Sequence, residues 1–114
     1  MKVKVNNHTF NVKTMLTQEQ WSEGMMGKKF NERVNGMLFL MSDGPHCFYM
    51  KNCIIPLDII FIKDNVISNI HHNCPPCKTK DCDNYCGYGD TILEVDGNTC
   101  KKLGIKIGDT IKTS

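Results

Sequence analysis

Residues 71–90, HHNCPPCKTKDCDNYCGYGD, hold two histidines and four of the chain's seven cysteines. Thiols and imidazoles at this density support three chemistries: a metal site, a disulfide staple or a redox centre. Cys74 and Cys77 are separated by two residues, both proline, so one tight turn presents both sulfurs to the same point. Cys82 and Cys86 follow at intervals of four and three residues. Cys74, Cys77, Cys82 and Cys86 are thus candidate tetrahedral ligands for a structural zinc ion, with His71 or His72 able to replace one thiolate. The spans are shorter than those of a two-knuckle zinc ribbon, which keeps disulfides open as the alternative. Only the CPPC stretch favours a redox role. No helix start follows it to lower a thiol pKa, so a ligand-presenting turn is the simpler reading.

A second set of residues lies inside apolar runs. Lys51 and Asn52 end one run, Asp58 interrupts PLDIIFI, and Glu94 interrupts TILEV. In an extended run Asp58 shares a face with Ile60 and Ile62, an unusual place for a solvated charge. The expectation is that Asp58 is buried against a donor, with Lys51 named as that donor. Lys51 paired with Asp58 or Glu94 reads as a structural ion pair or as a site for a small polar ligand, with Asn52 beside it.

The remaining cysteines are expected to be small buried hydrophobes. Cys47 and Cys53 flank FYMKN; if that run is extended they stand about 20 Å apart and cannot bridge each other. Cys100 falls in a short helix. Met15, Met25, Met26, Met37, Met41 and Met50 could ligate copper(I), but adaptable core filler is the plainer reading. No serine sits in a nucleophile-elbow context, and GYGD lacks the lysine and helix of a phosphate loop.

The elements that must position these groups are mainly strands. VKV and TFNVKTML alternate about a turn at NNH. Thr17 and Gln20 form a capping box for a helix carrying Trp21 and Met25 on one face and stopped at Gly27. GMLFLM and HCFYMKN read as a hairpin about SDGP. PLDIIFI and VISNIHH read as a second, about KDN. The cysteine-rich stretch has almost no aliphatics and is expected as a loop held by ligands or bonds. TILEV is a strand, GNTCKKLG a short helix, and IKIGDTIKT a final strand pair. The fold class is therefore α+β, mainly antiparallel β: a compact single-domain sheet or small barrel with one or two short helices.

The chain has 114 residues, 40% hydrophobic and 23% charged, which fits one globular domain. Its net charge of +2 is spread along the sequence and Arg33 is its only arginine, which argues against a nucleic-acid partner. No apolar run approaches the roughly 20 residues of a membrane helix, and the first residues lack an export-signal pattern. A cytoplasmic, reducing location is expected, where thiols favour zinc.

Gly24–Met26 (GMM), Gly36–Phe39 (GMLF), Phe48–Asn52 (FYMKN), Ile55–Ile62 (IPLDIIFI), Leu93–Val95 (LEV) and Lys102–Asp109 (KLGIKIGD) occur in the order seen in a known family. On these motifs the chain resembles the uncharacterised family called domain of unknown function 192, over residues 1–114. The resemblance implies a β-rich single domain and adds weight to Lys51, Asn52, Asp58 and Glu94, which fall in its motifs. The cysteine-rich loop and the missing leader resemble versions carried by some bacteriophages, which allows a virion location. The functional expectation is a small β-rich binding or structural module with a zinc-stabilised loop, its partner an unknown protein or small polar ligand. The alternative is an enzyme working on a small polar substrate through Lys51, Asp58 and Glu94.

Overall fold

A computed structural model describes all residues, 1–114. Seven strands form one curled sheet: β1 (Lys2–Val5), β2 (His8–Met15), β3 (Gly36–Tyr49), β4 (Leu57–Lys63), β5 (Val66–Cys74), β6 (Asn84–Asp96) and β7 (Ile111–Thr113). The spatial order is β5-β4-β6-β3-β2-β1-β7. Every neighbouring pair is antiparallel except β2 and β3, which are joined by a crossover containing helix α1 (Gln18–Glu23). The edges curl toward each other: Val66 bridges Thr110, and the Ile111 N–H donates to the Asn65 carbonyl at 2.8 Å. The result is a half-barrel. None of its helices is long and apolar enough to cross a membrane.

Alternation along the strands separates two cores. Val3, Val5, Leu38, Ile60, Ile62, Leu93, Val95 and Ile111 fill the enclosed face, with Cys100 of α2 (Thr99–Leu103) among them. Met37, Phe39, Ile59, Phe61 and Ile92 point to the opposite face, where Met25, Met50 and Cys53 cover them. The methionines Met15, Met25, Met37 and Met50 are buried filler, as their type implies.

Local chemistry accounts for the turns. Asp64 and Asn65 both have positive φ in the two-residue β4–β5 loop, the conformation that matches strand twist. The Thr17 side chain accepts from the Gln20 N–H while Gln20 reaches back to the Thr17 N–H, completing the expected capping box. The helix stops at Gly24 rather than Gly27, because Gly24 already adopts positive φ and donates its N–H to the Gln20 carbonyl.

Three sequence expectations fail for identifiable reasons. Residues 36–52 are not a hairpin: SDGP forms a bulge between Leu40 and Gly44, and β3 runs on to Tyr49. Its partner is the equally long β6, with Tyr49 opposite Asn84. The stretch 71–90 is not one loop, since β5 reaches Cys74 and β6 begins at Asn84. Its low apolar content reflects a two-stranded ribbon whose Cys47, Tyr49, Asn84, Cys86 and Tyr88 face solvent. At the C-terminus only Ile111–Thr113 is a strand, and its partner is β1.

Candidate functional site

The four cysteines expected around zinc do not converge. Cys77 bonds Cys82, Cys86 bonds Cys47 across the β3–β6 ladder, and Cys74 is a buried free thiol. Period-2 alternation turns Cys74 inward at the end of β5, while Cys86 faces outward opposite Cys47. No group of three or more histidine, cysteine, aspartate or glutamate side chains is arranged to hold a metal. His71 is no substitute ligand: its Nε2 lies 2.8 Å from the Cys86 carbonyl oxygen, and its ring packs between Phe61 and Tyr85. His72 is exposed. Cys53 and Cys100 are buried free thiols as expected, whereas Cys47 is exposed and bonded.

Denaturing the protein without reductant should therefore release three titratable thiols, those of Cys53, Cys74 and Cys100. Seven would mean that neither bridge forms. The double substitution C47S/C86S should lower stability by about 2–4 kcal/mol, the usual contribution of a bridge closing a loop of this length, as read from denaturant midpoints.

Asp58 is buried as expected, at 0% exposure, but Lys51 is not its partner. Three backbone amides are. The Asn73 and Asn98 N–H groups donate to Oδ1 at 2.7 and 3.0 Å, and the Cys100 N–H donates to Oδ2 at 2.8 Å. Asn98 makes no side-chain cap of α2, so Asp58 caps it from the neighbouring sheet. Lys51 is exposed, and it joins Cys77 by a backbone bridge. Asn52 takes positive φ, which asparagine tolerates; its N–H donates to the Cys77 carbonyl and its carbonyl accepts from Gly27. Lys51 and Asn52 thus tie the Cys77–Cys82 loop to the segment after α1.

Glu94 lies on the other face of the sheet. Asp58 stands opposite Val95, while Glu94 stands opposite Ile59 and Met37. Adjacent residues of a strand point to opposite faces, so the structure does not bring Lys51, Asp58 and Glu94 together. Glu94 is 4% exposed and opens into a pocket of about 340 Å³ beneath α1. The pocket walls include Trp21, Met25, Phe39, Met41, Phe48 and Cys53. The Trp21 indole N–H donates to the Met15 carbonyl at 3.1 Å, fixing that wall. Phe39 and Phe48 meet edge to face with centroids 5.0 Å apart. A shallow depression sharing Gln18, Ser22, Glu23, Met26 and Tyr49 with the pocket leads to solvent.

Burial alone pushes the Glu94 carboxyl up to about 8, with no hydrogen bond or neighbouring cation to oppose it. The Cys53 thiol is pushed up to about 11 by burial and then by the Glu94 charge. It is a poor nucleophile in that state. The arrangement is a preformed, mostly apolar cavity with one convergent acid, the general form of a small-molecule site. Sequence reading picked out Glu94, but not the pocket, because α1 and the segment through Met25 and Met26 are distant in sequence and build its roof.

The family described as Uncharacterized ACR, domain of unknown function 192, matches residues 1–113. Two solved structures are similar. One, of a protein of unknown function from Novosphingobium aromaticivorans, shares 30% identity and a TM-score of 0.88, covering 98% of this chain and 84% of that one. The other, from Sinorhizobium meliloti and named a candidate transcription regulator, shares 28% identity and a TM-score of 0.85, covering 97% and 91%. No curated protein matches the chain. Nothing in these likenesses supports the resemblance to bacteriophage versions.

Proposed function

The chain belongs to the domain of unknown function 192 family, and from that premise we propose that it is a small-molecule binding module whose site is the Glu94 pocket beneath α1. The observation carrying this reading is a carboxyl group on a largely buried residue that makes no hydrogen bond within the protein and opens into a cavity of about 340 Å³. Because its oxygens reach the cavity, whatever fills the cavity, water or ligand, is their hydrogen-bonding partner. Enzymatic use of Lys51, Asp58 and Glu94 is disfavoured by their separation on two faces and at the surface. A nucleic-acid role, raised by the name of the Sinorhizobium relative, finds no support in a net charge of +2 and a single arginine. The two disulfides fit an oxidising compartment better than the cytoplasm.

A fragment screen by protein-observed NMR tests the site. Shifts should concentrate at Met25, Phe39, Phe48 and Glu94, and Ser22→Trp, at the exposed mouth, should abolish them while leaving the spectrum folded. Hits that shift only the Cys77–Cys82 loop, or that survive Ser22→Trp, would count against the pocket.

A further inference from the structure

We propose that the Glu94 pocket takes a small organic amine, its ammonium group against Glu94 and its apolar body among the aromatic rings. This rests on the binding reading above and narrows it to a chemical class. The first argument is charge. Two acidic side chains, Glu94 and Glu23, line the pocket, and no lysine, arginine or histidine does. Lys28 is held by Glu23 at 2.6 Å and lies 3.4 Å from the Gly24 carbonyl oxygen. An anion would find no counter-charge among the lining residues.

The second argument is the wall. Trp21, Phe39, Phe48 and Tyr49 present ring surface, and Met25, Met26 and Met41 present polarisable thioethers. Ring faces attract a desolvated cation through the negative face of their quadrupole. The third is size. At about 30 Å³ per water, the cavity equals roughly ten waters, room for one ring and a short chain rather than for a metal ion.

Binding then has a proton signature. The free pocket holds Glu94 protonated at neutral pH, since burial sets its carboxyl at about 8. An ammonium ion beside it favours the carboxylate, so one proton leaves as the amine binds. The two thiols and the second acid near Glu94 do not share this step. Cys53 and Cys74 are pushed up to about 11 and about 12 by burial; Glu23 is lowered by Lys28; Tyr49 lies at the mouth.

The test is calorimetric titration of the intact, oxidised protein with phenethylamine, 2-phenylethanol and phenylacetate, at pH 6.0 and 8.5. At pH 8.5 phenethylamine should bind at least tenfold more tightly than the other two. Its affinity should rise at least tenfold from pH 6.0 to 8.5, and buffers of different ionisation enthalpy should report about one proton released at pH 7. Glu94→Gln should lose this preference and the pH dependence while keeping 2-phenylethanol within threefold. Equal or tighter binding of the alcohol or the acid by the wild type at pH 8.5 overturns the amine class and leaves the pocket standing. So does an amine affinity indifferent to Glu94→Gln. If none of the three binds, or if binding is unchanged in Ser22→Trp, the pocket itself is wrong and the class falls with it.

Discussion

Replacing Asp58 by alanine should destabilise the fold by about 3–5 kcal/mol. The carboxylate accepts three backbone N–H groups, from Asn73, Asn98 and Cys100, and its side chain is fully buried. Truncation leaves those donors facing an apolar cavity between β4 and α2, and an unmatched buried donor costs about 1–3 kcal/mol. Asp58→Asn sharpens the test. Its single carbonyl oxygen can still accept from Asn73 and Asn98, but its amide nitrogen then points a donor at the Cys100 N–H. Asparagine should therefore recover only part of the loss. Lys51→Ala should change stability by less than about 0.5 kcal/mol, as expected of an exposed side chain. Urea midpoints with unchanged slopes would read all three. A large loss in Lys51→Ala would reinstate the ion pair that sequence alone pointed to.

Asp58 also shows what was legible and what was not. The alternation in PLDIIFI placed Asp58 among Ile60 and Ile62 on a buried face, and the structure agrees. Its partners were invisible because they are backbone amides of residues 15, 40 and 42 positions away, which no side-chain pattern encodes. The strands around Val3 and Phe10 were readable because they bury alternate residues, and those around Leu38, Ile60 and Leu93 because each is a short apolar run buried on both faces. The cysteine stretch misled for the converse reason. The inward face of this ribbon carries Tyr85, Gly87 and Gly89 rather than aliphatics, so residues 84–89 show no apolar alternation and resemble a loop although they pair with β3. Cys47 looked solitary because its partner, Cys86, lies 39 residues away and meets it only through the register of that ribbon. The pocket required tertiary folding to appear at all: α1 contributes Trp21, β3 contributes Phe39 and Phe48, and β6 contributes the acid.

Stability of the ligand-free protein should fall, relative to Glu94→Gln, as pH rises from about 4.5 to about 8. Glu94 binds its proton more tightly when folded, at about 8, than at the ordinary 4.5 of an exposed glutamate. Between those values the native state holds a proton that the unfolded chain has released. Stability then declines with pH rather than rising. Below about 4.5 both states are protonated and Glu94 contributes no penalty. Above about 8 the penalty is complete and no longer changes. Its size follows from the same displacement, at about 1.4 kcal/mol per decade of proton affinity, and is on the order of 4–5 kcal/mol. The subtraction matters, because other groups titrate identically in both proteins and cancel, leaving the Glu94 contribution alone. Guanidinium unfolding of wild type and Glu94→Gln at intervals from pH 4 to 9 would trace it. A difference that stays flat would mean that Glu94 is solvated in the native state. A difference of opposite sign would mean that the free protein already supplies a cation to the carboxylate, which would remove the physical reason for an external ligand at this site.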